Sequence, residues 1–147
     1  MDKVKRKASN KMRRITNGAV YLTAFAIPVI LTLAVMIRKG ITPFGDKSLF
    51  IWDAEYQYKD YFGYLWDILH GNASIEFSAG KSLGGKMTGL FGYYLSSPLN
   101  ILLFFFQKSQ IAQFMSFMTV LRIGLCGLTS QFFFRKRFSI SVVSSLL

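Results

Sequence analysis

Residues 15–37 read ITNGAVYLTAFAIPVILTLAVMI, a run of 23 residues without a charged side chain. As an α-helix, this run would extend roughly 34 Å, which is enough to cross the hydrocarbon core of a bilayer. Arg38 and Lys39 follow it, where a cleaved signal peptide would carry small residues. Pro28 inside the run is compatible with a membrane helix, which tolerates proline better than a soluble helix does. We therefore interpret residues 15–37 as an uncleaved transmembrane anchor.

The positive charges of the 147-residue chain flank its apolar segments. The net charge is +11, and seven of the 18 Lys and Arg residues precede residue 15. A second cluster, Arg135-Lys136-Arg137, follows a later apolar run. Charges placed in this way are typical of membrane proteins and argue against a nucleic-acid-binding face. The positive-inside rule predicts that the amino terminus is cytoplasmic.

A second membrane-crossing helix is predicted at residues 109–134, where Arg122 is the single charge. The apolar run at 90–106 is interrupted by Ser96-Ser97-Pro98, and a full span there would place the second basic cluster outside. We therefore expect 98–106 to be a short interfacial or re-entrant helix. The final run, Ser139 to Leu147, is too short to cross a bilayer, so the chain is expected to be a fragment.

The expected fold class is an all-α integral membrane protein with two transmembrane helices, the start of a third, and a helical extracytoplasmic loop. The expected segments are a basic cytoplasmic amino terminus (1–14), transmembrane helix 1 (15–37), an external loop with amphipathic and interfacial helices (38–108), transmembrane helix 2 (109–134), and a cytoplasmic turn with the start of a truncated third helix (135–147).

The loop contains six of the seven acidic residues, and Asp53 is the most informative of them. Asp53 begins a predicted amphipathic helix that runs to about Leu69 and ends at His70-Gly71-Asn72. One interpretation of Asp53 is a helix cap; the other is a carboxylate that serves as a general base or metal ligand near the interface. With one histidine and one cysteine in the chain, a metal site built on several His or Cys ligands is excluded; no residue is assigned as a metal ligand, and the sequence identifies neither a cofactor nor a metal requirement.

Two cationic features could contact a phosphate. Residues 80–87 follow the phosphate-loop pattern up to Met87, which replaces the Ser or Thr that would ligate magnesium, so nucleotide hydrolysis is not expected. Lys81 and Lys86 in this segment could instead cradle the phosphate of a lipid carrier, or simply belong to a basic loop. Arg122 lies within the second span, and such a residue usually faces a bundle interior or a polar cavity.

Several short strings together resemble YfhO-type bacterial membrane proteins over about residues 18–135. They are Gly40-Ile41-Thr42-Pro43-Phe44-Gly45-Asp46, Asp53, Gln57-Tyr58, Gly84-Gly85 and Tyr93-Tyr94-Leu95-Ser96-Ser97-Pro98-Leu99-Asn100. The resemblance implies the amino-terminal part of a GT-C-like multi-span glycosyltransferase in the bacterial cell membrane. Such an enzyme would transfer a sugar from a polyprenyl-phosphate carrier to a cell-envelope polymer, such as teichoic acid, on the outer face.

The resemblance also implies roles for individual residues. Asp53 would be the catalytic carboxylate, and the substrate-binding residues would be Gln57, Tyr58, Lys81, Lys86 and Arg122. Because family members are several times longer, the 147-residue chain alone is expected to be inactive. Its expected partners are the lipid bilayer, the lipid-linked sugar and the polymer acceptor, and no nucleic acid.

Two alternatives stay open at this point. A segment of a transporter or flippase for lipid-linked sugars would explain Arg122 and the basic loop equally well, and would make Asp53 dispensable. A small accessory membrane protein would function at its present length.

Overall fold

The computed structural model describes residues 2–78, 80 and 84–138, with side chains from residue 18 onward. In chain order the elements are α1 (Asp2–Lys39), a π-helical turn (Ala54–Tyr58), α2 (Lys59–Leu69), β1 (Phe77–Ser78), β2 (Gly85–Lys86), the short helical turn α3 (Thr88–Leu90), a second π-helical turn (Phe91–Leu95), a 3-10 helix (Pro98–Phe105), a 3-10 turn (Lys108–Gln110) and α4 (Ile111–Phe138). The chain forms two compact units. The first contains α1 up to Arg38 and α4 from Thr119; the second is Lys39–Met118.

Two helical segments are long and apolar enough to cross a membrane, Gly18–Lys39 and Lys108–Phe138. They overlap the spans predicted at 15–37 and 109–134. α1 starts at Asp2, so the basic segment at 2–14 is helical and continuous with the first span. The predicted start of a third helix at 139–147 lies outside the described residues.

The first unit is held together by a close approach of α1 and α4. A Cβ atom added to Gly124 would lie 2.6 Å from Phe25 Cε2 and 2.7 Å from Val29 Cγ2. A Cβ atom at Gly127 would collide with the Ala24 carbonyl oxygen and approach Pro28 Cγ to 2.9 Å. Small residues let helix backbones approach closely, and membrane helices commonly associate in this way.

Pro28 explains why the Ala24 carbonyl oxygen is important in this contact. Proline has no N–H, so Pro28 cannot donate the helical hydrogen bond that the Ala24 carbonyl would accept from the residue four positions later. Gly127 brings the α4 backbone against this same oxygen. Elsewhere on α1, Leu22, Ile30 and Leu31 are largely exposed, as expected of side chains that contact lipid.

The second unit has an aromatic core. Phe114 of α4 and Leu103 of the 3-10 helix are fully buried, and Phe62 of α2 is 3% exposed. The ring centroid of Phe114 lies 5.5 Å from that of Phe62 and 5.4 Å from that of Phe106, in edge-to-face geometry. Aromatic pairs at this distance and angle stabilise a core beyond the area that they bury. The core therefore joins α2, the 3-10 helix and the start of α4.

Trp66 fastens the 3-10 helix to α2. Its indole Nε1 donates a hydrogen bond of 2.7 Å to the carbonyl oxygen of Phe106. Its ring stacks on His70 at 3.8 Å, and His70 stacks on Phe104 at 4.9 Å. Lys108 forms an ion pair of 2.6 Å with Asp67, one residue along α2. The helix at Pro98–Phe105 is thus short, lies between the extended residues Ser97 and Phe106, and does not extend into a membrane-crossing helix.

Candidate functional site

The carboxylate of Asp53 stands at the start of the helical segment that runs through the π-helical turn and α2. Asp53 has helical backbone angles, and its side chain makes no capping hydrogen bond. The turn is started by the backbone instead, since the Trp52 carbonyl accepts the N–H groups of Glu55 at 2.9 Å and Tyr56 at 3.3 Å. The helix-cap interpretation of Asp53 is therefore wrong. Its exposed carboxylate is not used to satisfy a helix end.

The residue before Asp53 has an uncommon backbone conformation. Trp52 has φ +54°, in the left-handed region, although it is neither glycine nor asparagine. For a bulky residue this conformation costs roughly 1–2 kcal/mol, and such positions concentrate at functional sites. The Trp52 side chain is 82% exposed, so packing of the ring does not explain the conformation.

Four phenol rings form a cluster next to this helix start, and we call Tyr58, Tyr61, Tyr93 and Tyr94 the tyrosine cluster. Tyr94 is at its centre, with ring centroids 5.1 Å from Tyr58, 5.2 Å from Tyr61 and 4.4 Å from Tyr93. Tyr58 and Tyr61 lie one turn apart on the helix, whereas Tyr93 and Tyr94 come from the second π-helical turn. The cluster therefore joins two segments that are more than 30 residues apart in the chain.

The tyrosine cluster and Asp53 act electrostatically on one hydroxyl. The pKa of Tyr94 is raised above 10.0, first by desolvation and then by the neighbouring Tyr93, Tyr58 and Tyr61 hydroxyls and the Asp53 carboxylate. Each of these causes disfavours the anionic phenolate. The Tyr94 phenol is a neutral hydrogen-bond donor at physiological pH, and the Asp53 carboxylate adds the smallest of these contributions to its raised pKa.

A cavity of about 530 Å³ opens beside the cluster, and we call it the Asp60 cavity. Its lining consists of one acid, three tyrosines, and residues of the β1–β2 region and the following turn: Tyr56, Asp60, Tyr61, Tyr64, Ser78, Gly80, Met87 and Leu90. The volume lies within the roughly 300–1,000 Å³ typical of small-molecule sites. Tyr61 belongs to both the cavity and the tyrosine cluster.

The hairpin side of the Asp60 cavity is fixed by Tyr64. The Tyr64 hydroxyl lies 2.7 Å from the carbonyl oxygen of Ser74 and 3.1 Å from that of Phe77, and carbonyl oxygens can only accept. β1 and β2 pair antiparallel, with Phe77 opposite Lys86 and Ser78 opposite Gly85. Met87, which follows β2, is 4% exposed.

The other predicted binding residues are dispersed. Gln57 and Lys86 are exposed side chains of the second unit, and Lys86 lies on β2. Arg122 is exposed on α4 in the first unit. Lys81 lies outside the described residues. Within the second unit, Tyr58 belongs to the tyrosine cluster, and Asp53 is near enough to contribute to the electrostatics of Tyr94.

His70 has a structural role at the end of α2, as predicted. Its Nδ1 lies 2.8 Å from the Trp66 carbonyl oxygen, so this nitrogen carries the proton that the carbonyl accepts. Gly71 follows with φ +77°, a conformation typical of the residue that ends a helix. Within the described ranges, no three His, Cys, Asp or Glu side chains come together to hold a metal ion.

Asp60, Tyr61 and Tyr94 were missed by the sequence analysis as site residues. One signal was present, because residues 53, 56, 60 and 64 recur at spacings of three to four and all four are Asp or Tyr, although this spacing alone does not distinguish Asp60 from a solvated acid. Tyr94 belongs to one of the strings that carry the resemblance, but its place beside Tyr58 and Tyr61 follows only from the fold.

A family model described as "Bacterial membrane protein YfhO" matches residues 24–147. No curated protein and no solved structure matches the chain. The match covers most of the chain, including the loop strings that carried the resemblance, the first candidate span from residue 24 onward and the whole second span, and it confirms the family assignment made from the strings. The chain belongs to the YfhO family of bacterial membrane proteins.

Proposed function

We propose that this protein is part of a membrane glycosyltransferase of the GT-C type that transfers a sugar from a polyprenyl-phosphate carrier to a cell-envelope polymer such as teichoic acid. The observation that carries the proposal is the placement of the exposed, uncapped Asp53 carboxylate beside the tyrosine cluster and the adjoining Asp60 cavity. Amphipathic phenol rings with a carboxylate form a surface suited to a hydroxyl-rich ligand.

In this proposal Asp53 acts as the general base. Its carboxylate accepts the proton of the acceptor hydroxyl while the acceptor oxygen forms a bond to the anomeric carbon of the sugar. The bond from that carbon to the lipid phosphate breaks, and the electron pair leaves with the phosphate. The neutral Tyr94 hydroxyl next to Asp53 would help to orient the acceptor, and Tyr58 would pack against it.

Cationic side chains would stabilise the departing phosphate. Lys86 is an exposed candidate in the same unit as Asp53, and Lys81 is a second candidate from the sequence. In this proposal the lipid-linked donor is on the outer face of the membrane, so these lysines must lie on that face. The proposal therefore includes a cytoplasmic amino terminus and an external loop, which the charge distribution favours.

The decisive test is Asp53→Asn in the intact multi-span protein to which this chain is proposed to belong, expressed in a bacterium, with transfer of a radiolabelled sugar from a polyprenyl-phosphate donor to envelope polymer as the readout. We expect a loss of about 10²–10⁴-fold, the range that a positioned general base supplies. Asp46→Asn is the matched control, since Asp46 is an exposed acid of the loop before the helix and lies outside the tyrosine cluster. Equal loss in both variants would indicate a general charge effect and contradict the role of Asp53.

The same assay separates the enzyme from a transporter. If Asp53→Asn retains full transfer while Arg122→Gln abolishes delivery of lipid-linked sugar to the outer face, the protein is a transporter segment and the glycosyltransferase proposal is wrong. If both variants are fully active, neither residue serves the proposed chemistry.

A further inference from the structure

We infer that the Asp60 cavity is a binding site for a neutral sugar unit, with the Asp60 carboxylate accepting hydrogen bonds from sugar hydroxyls and the Tyr56 and Tyr61 rings packing against its C–H face. This inference rests on the proposed function and adds to it a second carboxylate with a different task. Asp53 acts on the reacting hydroxyl, whereas Asp60 positions a sugar.

The lining of the cavity favours this ligand class. Asp60 provides an acceptor for charge-assisted hydrogen bonds, which are about twice as strong as neutral ones. Three phenol rings provide broad apolar faces with polar edges, and Met87 and Leu90 complete the apolar part. A small number of polar groups on a mostly apolar wall is the usual composition of a small-molecule site.

The charge of the lining disfavours a phosphate. Of the described residues that line the Asp60 cavity, one is a carboxylate and none is Lys or Arg. A phosphate bound next to Asp60 would be repelled in a partly desolvated site. The described lining therefore suits the uncharged part of a glycosyl donor or acceptor.

The site has both fixed and adaptable walls. The single proton of the Tyr64 hydroxyl is shared between the Ser74 and Phe77 carbonyl oxygens, so the ring cannot turn away without breaking this bifurcated hydrogen bond. Ser78, 7% exposed, accepts a hydrogen bond of 3.2 Å from the N–H of Gly80. Tyr56 is 78% exposed and can move onto a ligand.

Tyr61 connects this site with Asp53. One side of its ring packs on Tyr94, whose hydroxyl is within the electrostatic influence of Asp53, and Tyr61 also lines the cavity. The connection between the Asp60 cavity and the proposed base therefore passes through the Tyr61 and Tyr94 rings.

The first experiment measures binding directly. The protein in lipid nanodiscs is titrated with methyl glucoside, methyl N-acetylglucosaminide and glycerol by saturation-transfer NMR, together with inorganic phosphate and tetramethylammonium. We expect transfer to the ring protons of at least one glycoside, and no competition from the two ions. Asp60→Asn should weaken that glycoside about tenfold or more, the effect of losing a hydrogen bond to a charged group.

Matched variants show whether the effect belongs to the cavity. Glu55→Gln removes the same charge one residue before Tyr56 without touching the lining, and should leave binding unchanged. Tyr56→Ala removes an exposed ring and should weaken binding without unfolding the protein. Asp53→Asn should still bind the glycoside even where transfer is lost, so failure of the catalytic proposal and failure of this site are distinguishable.

Any of three results overturns the inference: no glycoside binds, Asp60→Asn binds as tightly as the wild type, or tetramethylammonium displaces the glycoside. The last would identify an aromatic cage for cations. Transfer kinetics then identify the source of the sugar. A raised KM for the lipid-linked donor in Asp60→Asn assigns the cavity to the donor sugar, and a raised KM for the polymer assigns it to the acceptor.

Discussion

Tyr94 is the residue at which the electrostatics of the candidate site can be measured. Its pKa is raised above 10.0 in the folded protein, so the folded state holds this proton more tightly than the unfolded chain does. The resulting contribution to stability is complete below about pH 10 and is lost as the pH rises through the folded pKa.

We expect the thermal unfolding midpoint of the wild type to fall more steeply above about pH 10 than that of Tyr94→Phe, which has no phenol to ionise there. Tyr56→Phe, which removes an exposed hydroxyl outside the tyrosine cluster, serves as the control and should keep the steeper fall. A midpoint in Tyr94→Phe that declines as steeply as the wild type would show that Tyr94 is not the group responsible.

At the scale of elements, the approach of α1 and α4 depends on Gly127. Gly127→Ala places a methyl group against the Ala24 carbonyl oxygen and Pro28, so one of the two backbones must shift. Such overpacking typically costs about 1–3 kcal/mol, partly offset by the roughly 1 kcal/mol that alanine gains over glycine in a helix. We expect a lower unfolding midpoint in a denaturing-detergent titration.

Gly18→Ala is the matched control for this helix pair. A Cβ atom at Gly18 would have nothing within 4 Å, so the same substitution should be neutral or stabilising there. If Gly127→Ala is as stable as Gly18→Ala, the two helices do not depend on close backbone contact.

The helical elements could largely be predicted from the sequence, because their signals are local. The uncharged runs and Pro28 indicated the spans, and the stop signal at His70-Gly71 gave the end of α2. The π-helical turn before α2 could not be predicted, since its widened winding follows from the unusual conformation of Trp52 and from tertiary packing. The same applies to the 3-10 form of Pro98–Phe105, which is fixed by contacts with Trp66.

The candidate site was predictable only in part, for the same reason. Asp53 was identified because it is an acid of the loop and because the resemblance includes it. Tyr58 was identified from the Gln57-Tyr58 string of the same resemblance. Asp60 shared the helix with Asp53, but on sequence alone it could not be told from any other solvated acid. Its significance depends on a cavity whose opposite wall comes from the β1–β2 hairpin.

At the scale of the whole molecule, orientation in the membrane is the property that the proposed function requires. In a background without Cys126, the proposed topology with an external loop predicts that Asn72→Cys reacts with a membrane-impermeant maleimide in intact cells. The same topology places the basic cluster in the cytoplasm, so Lys136→Cys should react only after the membrane is permeabilised. Both substitutions are at exposed positions, so access is not limited by packing.

The reverse labelling pattern would place the tyrosine cluster and Asp53 in the cytoplasm, where a lipid-linked donor for envelope polymers would be on the wrong face. Labelling of both positions in intact cells would instead show that Lys108–Phe138 does not cross the bilayer.

One hydroxyl has a consequence for how this family could diversify. Tyr64 lines the Asp60 cavity, and its hydroxyl also donates to the carbonyl oxygens of Ser74 and Phe77 in the hairpin region. A smaller side chain in place of Tyr64 would enlarge the cavity and would also remove the hydrogen bonding to the Ser74 and Phe77 carbonyls. One mutation would therefore change both the range of ligands and the order of the neighbouring segment. New ligand preferences would arise more readily through substitutions at Tyr56 or Leu90, because these change the lining of the cavity and leave the hydrogen bonding of Tyr64 intact.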